Sequence, residues 1–167
     1  KTSTVFNYTN DALDTSVTYK LAVTKAEVLA SQLDTDPVAI TNTKKSVTYY
    51  MGNEGEEKAL LTNNYDFNGA SIKTSTVFNY TNDALDNSVT YKLEVTKAQV
   101  EASQLATDPV AITNTKKSKT YYMGNEGEEK ALLTNNYDFN GTSIKTSTVF
   151  NYANDALDNS VTYKLTV

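Results

Sequence analysis

The chain has no Cys, His, Trp or Arg among its 167 residues, and only 2 Pro and 6 Gly. Each absence closes off a class of chemistry. Without Cys there is no disulfide framework, no thiolate metal site and no thiol redox chemistry. Without His or Cys the usual general base and thiolate nucleophile are missing. The carboxylates sit in turn-like stretches instead of converging on an apolar cleft, so no glycosidase pair stands out and an enzyme is not expected. Without Arg, and with a net charge of -5, the chain lacks the clustered cations that neutralise phosphates, so nucleic acid is not an expected partner. Apolar runs end after three or four residues, which predicts no membrane insertion in this segment and no signal peptide.

What is present is repetition. The stretch TSTVFNY-x-NDALD-x-SVTYKL-x-V begins at Thr2, Thr74 and Thr146, so the period is 72. Residues 1–72 and 73–144 differ only at Thr15/Asn87, Ala22/Glu94, Glu27/Gln99, Leu29/Glu101, Asp34/Ala106, Val47/Lys119 and Ala70/Thr142. A period longer than the 20 to 50 residues of solenoid coils predicts an array of whole folded units. Ending at Val167, the counterpart of Val95, suggests repeats at 24–95 and 96–167, with 1–23 as the C-terminal hairpin of a preceding repeat. With no initiator Met and a mid-pattern end, the sequence reads as a piece of a longer protein.

Within a repeat the pattern is β-rich. Ile72, Thr74, Thr76, Phe78 and Tyr80 alternate with Lys73, Ser75, Val77 and Asn79, which predicts a strand burying the first set. Val89, Tyr91, Leu93 and Val95 form the apolar set of a second strand, paired to the first across an Asn- and Asp-rich loop, 81–87, that has room for a helical turn at Ala84-Leu85. The positions Ala22/Glu94/Thr166, Leu29/Glu101 and Val47/Lys119 carry unrelated residues in different copies, so all three read as solvent-facing. Residues 96–105 fit a short strand or a helical turn, with strand favoured. Pro109 then breaks the backbone ahead of an edge strand at Val110-Ala111-Ile112. Further strands are expected over 119–123 and 131–139. Asn68-Gly69 and Asn140-Gly141 are expected to close two-residue hairpins that set Tyr65 opposite Ile72 and Leu61 opposite Thr76. Six short strands per period predict tandem small antiparallel β-sandwiches, all-β and immunoglobulin-like in the broad sense.

Several stretches offer candidate sites. Asn136-x-Asp138-x-Asn140-Gly141 has the spacing of half a calcium loop, but its twelfth position is Ser147, where such a loop needs a bidentate Glu; a hairpin turn accounts for the same residues. Asp83 and Asp86 in 82–87, and the carboxylates of 124–129, gather enough oxygen to hold a hard cation, although solvated acidic loops are commoner. Calcium is therefore the one cofactor to consider, with Asp83, Asp86, Asp138 and Asn140 as its candidate ligands. Sequons stand at Asn7, Asn79 and Asn140. Tyr49-Tyr50 and Tyr121-Tyr122 offer stacking surfaces for sugars, but with 12 Tyr and no Trp, tyrosine is also the main aromatic core former. Lys–Asn or Lys–Asp isopeptide crosslinks are chemically open, and no spacing singles out a triplet.

Near-identical tandem β-modules that are rich in Thr and Asn, use only Lys as their base and lack Cys resemble the stalk repeats of bacterial cell-surface adhesins. The likeness is closest to the cell-wall-anchored adhesins of Gram-positive bacteria. The resemblance covers the whole chain in architecture and composition and involves no family-specific motif. It implies an extracellular fibre on the cell surface or cell wall, in which repeats set the distance to a terminal binding domain. The partners would be neighbouring repeats of the same chain. At roughly 30 to 40 Å per compact module, copy number would tune reach. Two other readings are a pilus-like subunit polymerising through a donated hairpin at 1–23, and a calcium- or carbohydrate-binding repeat.

Overall fold

The structure, a computed structural model, describes residues 1–33, 35 and 38–165. The expectations for Asp34, Thr166 and Val167 lie outside the described residues. The fold is all-β and antiparallel. Among the described residues its ten strands are β1 (Ser3–Thr9), β2 (Ala12–Tyr19), β3 (Lys44–Met51), β4 (Lys58–Tyr65), β5 (Ile72–Thr81), β6 (Ala84–Lys92), β7 (Lys116–Met123), β8 (Lys130–Tyr137), β9 (Ile144–Ala153) and β10 (Ala156–Lys164). Two short helices, α1 (Lys25–Ser31) and α2 (Lys97–Ser103), follow β2 and β6. The chain divides into two units, Lys1–Lys73 and Thr74–Val167. The repeat-phase boundary at 95/96 falls between β6 and α2, inside the second unit.

In each unit the strands pair in sequence order, so the expected two facing sheets of a sandwich are replaced by a meander. Short hairpins place most strands beside the one before, and the long connections that carry α1 and α2 return β3 beside β2 and β7 beside β6 all the same. The tightest hairpin turn is that between β5 and β6. Thr81 pairs with Ala84, leaving only Asn82 and Asp83 between them, with φ of 50° and 66°. Both therefore occupy the left-handed region that a two-residue type I′ hairpin needs, and Asn and Asp tolerate it best among residues with a Cβ. Asn10 and Asp11 repeat the arrangement in the first unit. The expected loop over 81–87 with a helical turn at Ala84-Leu85 is thus corrected, since β6 already begins at Ala84.

Residues 96–105, expected as a strand, contain a helix. The Thr96 hydroxyl accepts from the Gln99 amide at 3.2 Å, and the Gln99 side chain accepts from the Thr96 amide at 2.9 Å. Thr24 and Glu27 form the same reciprocal capping box. Because Glu and Gln both accept through Oε, the Glu27/Gln99 difference leaves the box intact. Val100 is fully buried, while Leu29 and its counterpart Glu101 are exposed as expected. The expected edge strand at 110–112 is absent. The Val110 amide donates instead to the Ala102 carbonyl at 3.0 Å, which ties this segment to α2.

The face of β5 is the reverse of the expected one. Ser75 and Val77 are buried, whereas Thr76 and Phe78 are only partly covered. Val77 pairs with Val89 and Ser75 with Tyr91, so the core face of β6 fixes that of β5. Ser75 is tolerated at 0% exposure because its hydroxyl donates to the Leu93 carbonyl at 3.0 Å and accepts from the Val95 amide at 2.8 Å. The other face carries cross-strand hydroxyl pairs: Thr76–Thr90, Thr120–Thr134 and Thr148–Thr162, each within 3.0 Å.

Glu94 is exposed as expected. Val47 is not solvent-facing but belongs to the core of the first unit. Its counterpart Lys119 is half-buried with its Nζ 4.5 Å from the centre of the Tyr121 ring, so the aliphatic stem covers apolar surface while the ammonium keeps a favourable contact.

Candidate functional site

The most elaborate local chemistry lies where strands end. The turn after β8 holds one cluster. Tyr137 pairs with Ile144, as the Asn-Gly register predicted, but an irregularity then sets Leu133 opposite Val149, one residue from the expected partner. The Gly141 amide donates to the Asp138 carbonyl at 3.1 Å and the Asp138 amide to the Ser143 carbonyl at 2.8 Å. Phe139 and Asn140 are therefore the central pair of a four-residue loop, and Gly141 takes the left-handed position after them, φ 74°. A Cβ on Gly141 would lie 2.6 Å from the Lys116 backbone nitrogen. The two-residue turn is thereby corrected to a wider one that packs against the start of β7.

Asp138 is the cap of this loop. Its carboxylate accepts from the amides of Thr142 at 2.9 Å and Ser143 at 3.4 Å, and these bonds, the Thr142 amide first, hold its pKa below the ordinary carboxylate value. Asp66 does the same in the first unit through the Ala70 amide. Across β7 from β6, Lys92 Nζ donates to the Phe139 carbonyl at 2.5 Å and sits 4.1 Å from the centre of the Phe139 ring. Lys20 likewise donates to the Phe67 carbonyl and lies 4.4 Å from that ring. Phe67 and Phe139 are themselves 87% and 86% exposed. This is a latch, in which a cation satisfies a turn carbonyl and an aromatic face at once.

A carboxylate forms a second fastening at the opposite strand ends. Glu57 accepts from the Leu13 amide and the Gly55 amide, both at 3.0 Å, and Glu129 accepts from the Leu85 amide at 2.9 Å. The Leu13 bond is the main reason that Glu57 titrates below its ordinary value. Near Glu128, an open cleft of about 510 Å³ is lined by Met123, Gly124, Asn125, Lys130 and Asp155, with Lys130 and Asp155 paired at 3.0 Å.

The proposed calcium ligands are dispersed. Asp83 occupies the β5–β6 turn, Asp86 lies in β6 accepting from the Asn87 side chain at 2.7 Å, and Asp138 and Asn140 belong to the β8–β9 loop. Among the described residues no three acidic side chains gather in a way that could hold a metal ion. The paired tyrosines are half-buried in the sheets, and Tyr50 and Tyr122 hydrogen-bond Ser16 and Ser88 at 3.1 Å. At the sequons, the Asn7 and Asn79 amides donate to Thr15 and Asn87, whereas Asn140 is exposed. Among the described residues no helix is long and apolar enough to cross a membrane. Sequence reasoning misses the latch residues, because Lys and Phe so far apart along the chain give no local signal.

No family model, no curated protein and no solved structure matches this chain.

Proposed function

We propose that the chain is a run of structural spacer repeats from an extracellular, cell-anchored adhesin or fibre, without catalytic activity of its own. The observation that carries this reading is the recurrence of one set of fastenings a full period apart: Lys20–Phe67 and Lys92–Phe139, Leu13–Glu57 and Leu85–Glu129, Ser16–Tyr50 and Ser88–Tyr122. All of them join strands to the loops and strands that follow, and none builds a pocket around a reactive group. A repeat so constructed has a length to contribute, and its negative charge keeps neighbouring copies soluble.

The meander also supplies the length. The identical strands β6 and β10 stand four strand spacings apart within the second unit, about 19 Å at the usual 4.7 to 4.9 Å per strand. This is shorter than the length of roughly 30 to 40 Å expected of compact sandwich modules. Small-angle X-ray scattering on chains carrying two, three and four periods tests the proposal. The maximum dimension is expected to rise by about 19 Å per added period. Steps of roughly 30 to 40 Å would instead indicate independent compact domains. No increase at all would end the spacer reading. A melting temperature that rises on adding calcium or a sugar would favour a ligand-binding repeat.

A further inference from the structure

The meander sorts charge to the ends of its strands. In the second unit the strand ends around the β8–β9 loop form one margin, which carries Lys92, Lys116, Lys117, Lys145 and Lys164. Turns alternate between the two sides of an antiparallel meander, so the β5–β6, β7–β8 and β9–β10 turns share the other margin. Asp83, Asp86, Glu126, Glu128, Asp155 and Asp158 stand there, all exposed. The exceptions are few. Asp138 and Glu94 lie on the basic margin, the former with its carboxylate turned to the Thr142 and Ser143 amides, and Lys130 on the acidic margin is paired with Asp155. The first unit repeats the division, with Lys20, Lys44 and Lys45 on one margin and Asp11, Glu54 and Glu56 on the other.

Each margin also has an apolar feature. Phe139 projects from the basic one with Lys92 Nζ 4.1 Å from its ring centre. The acidic one holds the open cleft of about 510 Å³, walled by Met123 and Gly124 with Glu128 beside them. These features belong to the repeat and not to the ends of the sequence. Phe67, with a further full period after it, is as exposed as Phe139. A following strand pairs along the edge of a sheet, and so lengthens both margins without crossing either.

We infer that the acidic margin is a docking surface for the basic margin of a second copy of this chain, with the Phe139 ring entering the Met123 cleft. Charge and shape select the same occupant. The projecting ring has a cation behind it, and the cleft sets a thioether beside the Glu128 carboxylate. Docking therefore brings an aromatic–sulfur contact and attraction between Lys92 and Glu128 to one place. Two different surfaces meet, so the contact is heterologous and leaves a margin of each kind free for further copies. With a net charge of -5, two copies repel as wholes. The margins attract only within a Debye length, about 8 Å at physiological salt, so the association is weak and salt-sensitive. The inference concerns contacts between chains and does not depend on the spacer reading, which concerns length along one.

The test is sedimentation velocity of the full chain over a concentration series at about 0.02 M and about 0.5 M salt, where the Debye length lies well above and well below its physiological value. The weight-average sedimentation coefficient should rise with concentration at the low salt and stay constant at the high one. Reversing the basic margins with Lys44→Glu, Lys45→Glu, Lys116→Glu and Lys117→Glu should abolish the rise. Reversing the acidic margins with Glu54→Lys, Glu56→Lys, Glu126→Lys and Glu128→Lys should do the same. An equimolar mixture of the two variants should associate again, a rescue that a mere folding defect would not give. Phe67→Ser with Phe139→Ser should weaken association with little change in melting temperature, because both residues are exposed. A chain that stays monomeric at low salt, association that persists at high salt, or a mixture that fails to associate would overturn the inference. A monomeric chain that binds phosphatidylserine vesicles would overturn it in favour of an anionic surface as the occupant.

Discussion

β6 and β10 are the same nine residues in two settings. Val89 and Tyr91 of β6 are 7% and 6% exposed, whereas Val161 and Tyr163 of β10 are 40% and 54% exposed. The settings differ in their neighbours: β6 lies between β5 and β7 and is followed by α2 with its buried Val100, while β10 has β9 alone among the described residues. Sequence confers on this strand the capacity to be core, and the adjoining strand decides whether the capacity is used. Such dependence on nearest neighbours is the property of a repeat array, in which a unit buries its face only against the next.

Truncating the two tyrosines separates the settings most sharply. Tyr91→Ala should cost about 3 kcal/mol, as for other large buried side chains, while Tyr163→Ala should cost under about 1 kcal/mol, both read from urea unfolding. Displacing the strand that covers β6 comes next. Gly141→Val places a Cβ against the Lys116 backbone at a positive φ, and should lower stability by about 2 kcal/mol. If β7 secures β6, the same variant should speed amide exchange in 84–92 and leave 156–164 unchanged.

Smaller effects refine the picture. Lys119→Val, which installs the residue of the first unit opposite Val89, should stabilise by about 0.5 kcal/mol, the gain in apolar burial being partly offset by loss of the Tyr121 contact. Finally, Glu27, Glu57, Asp66 and Asp138 all titrate below their ordinary values because backbone amides donate to them. Their folded pKa values are depressed, so their contribution is complete above the unfolded carboxylate range near about pH 4 and is lost as pH falls through the folded values. The melting temperature should therefore drop below about pH 4, and Asp66→Asn with Asp138→Asn should make that drop shallower.

The period, the β class and the places of most strands were legible in the sequence because they depend on local alternation and on exact recurrence. The helix was also written there, as Thr24-x-x-Glu27 and Thr96-x-x-Gln99, but the short apolar pattern of 98–105 resembles a strand as readily as a helix turn. The buried face of β5 was not legible. Val77 and Phe78 are adjacent, so both faces of the strand carry an apolar residue, and only pairing with Val89 and Tyr91 chooses between them. Lys119 misled for a different reason, since a lysine stem can cover apolar surface that a valine would fill. Of the candidate site residues, Asp138 stands in the turn expected of it and acts as its cap. The latches of Lys20 to Phe67 and Lys92 to Phe139 depend on two strand crossings and leave no trace at short range.

The account is tested most directly by NMR-detected hydrogen exchange of the intact chain, comparing 84–92 with 156–164. Identical sequence gives these two strands the same intrinsic exchange chemistry across their interiors, so any difference is structural. Amides of β6 should exchange at least about tenfold more slowly than their counterparts in β10, because they open only with the surrounding sheet while an edge strand frays. Equal protection in the two strands would contradict the account, for it would mean that the neighbour does not decide which copy becomes core.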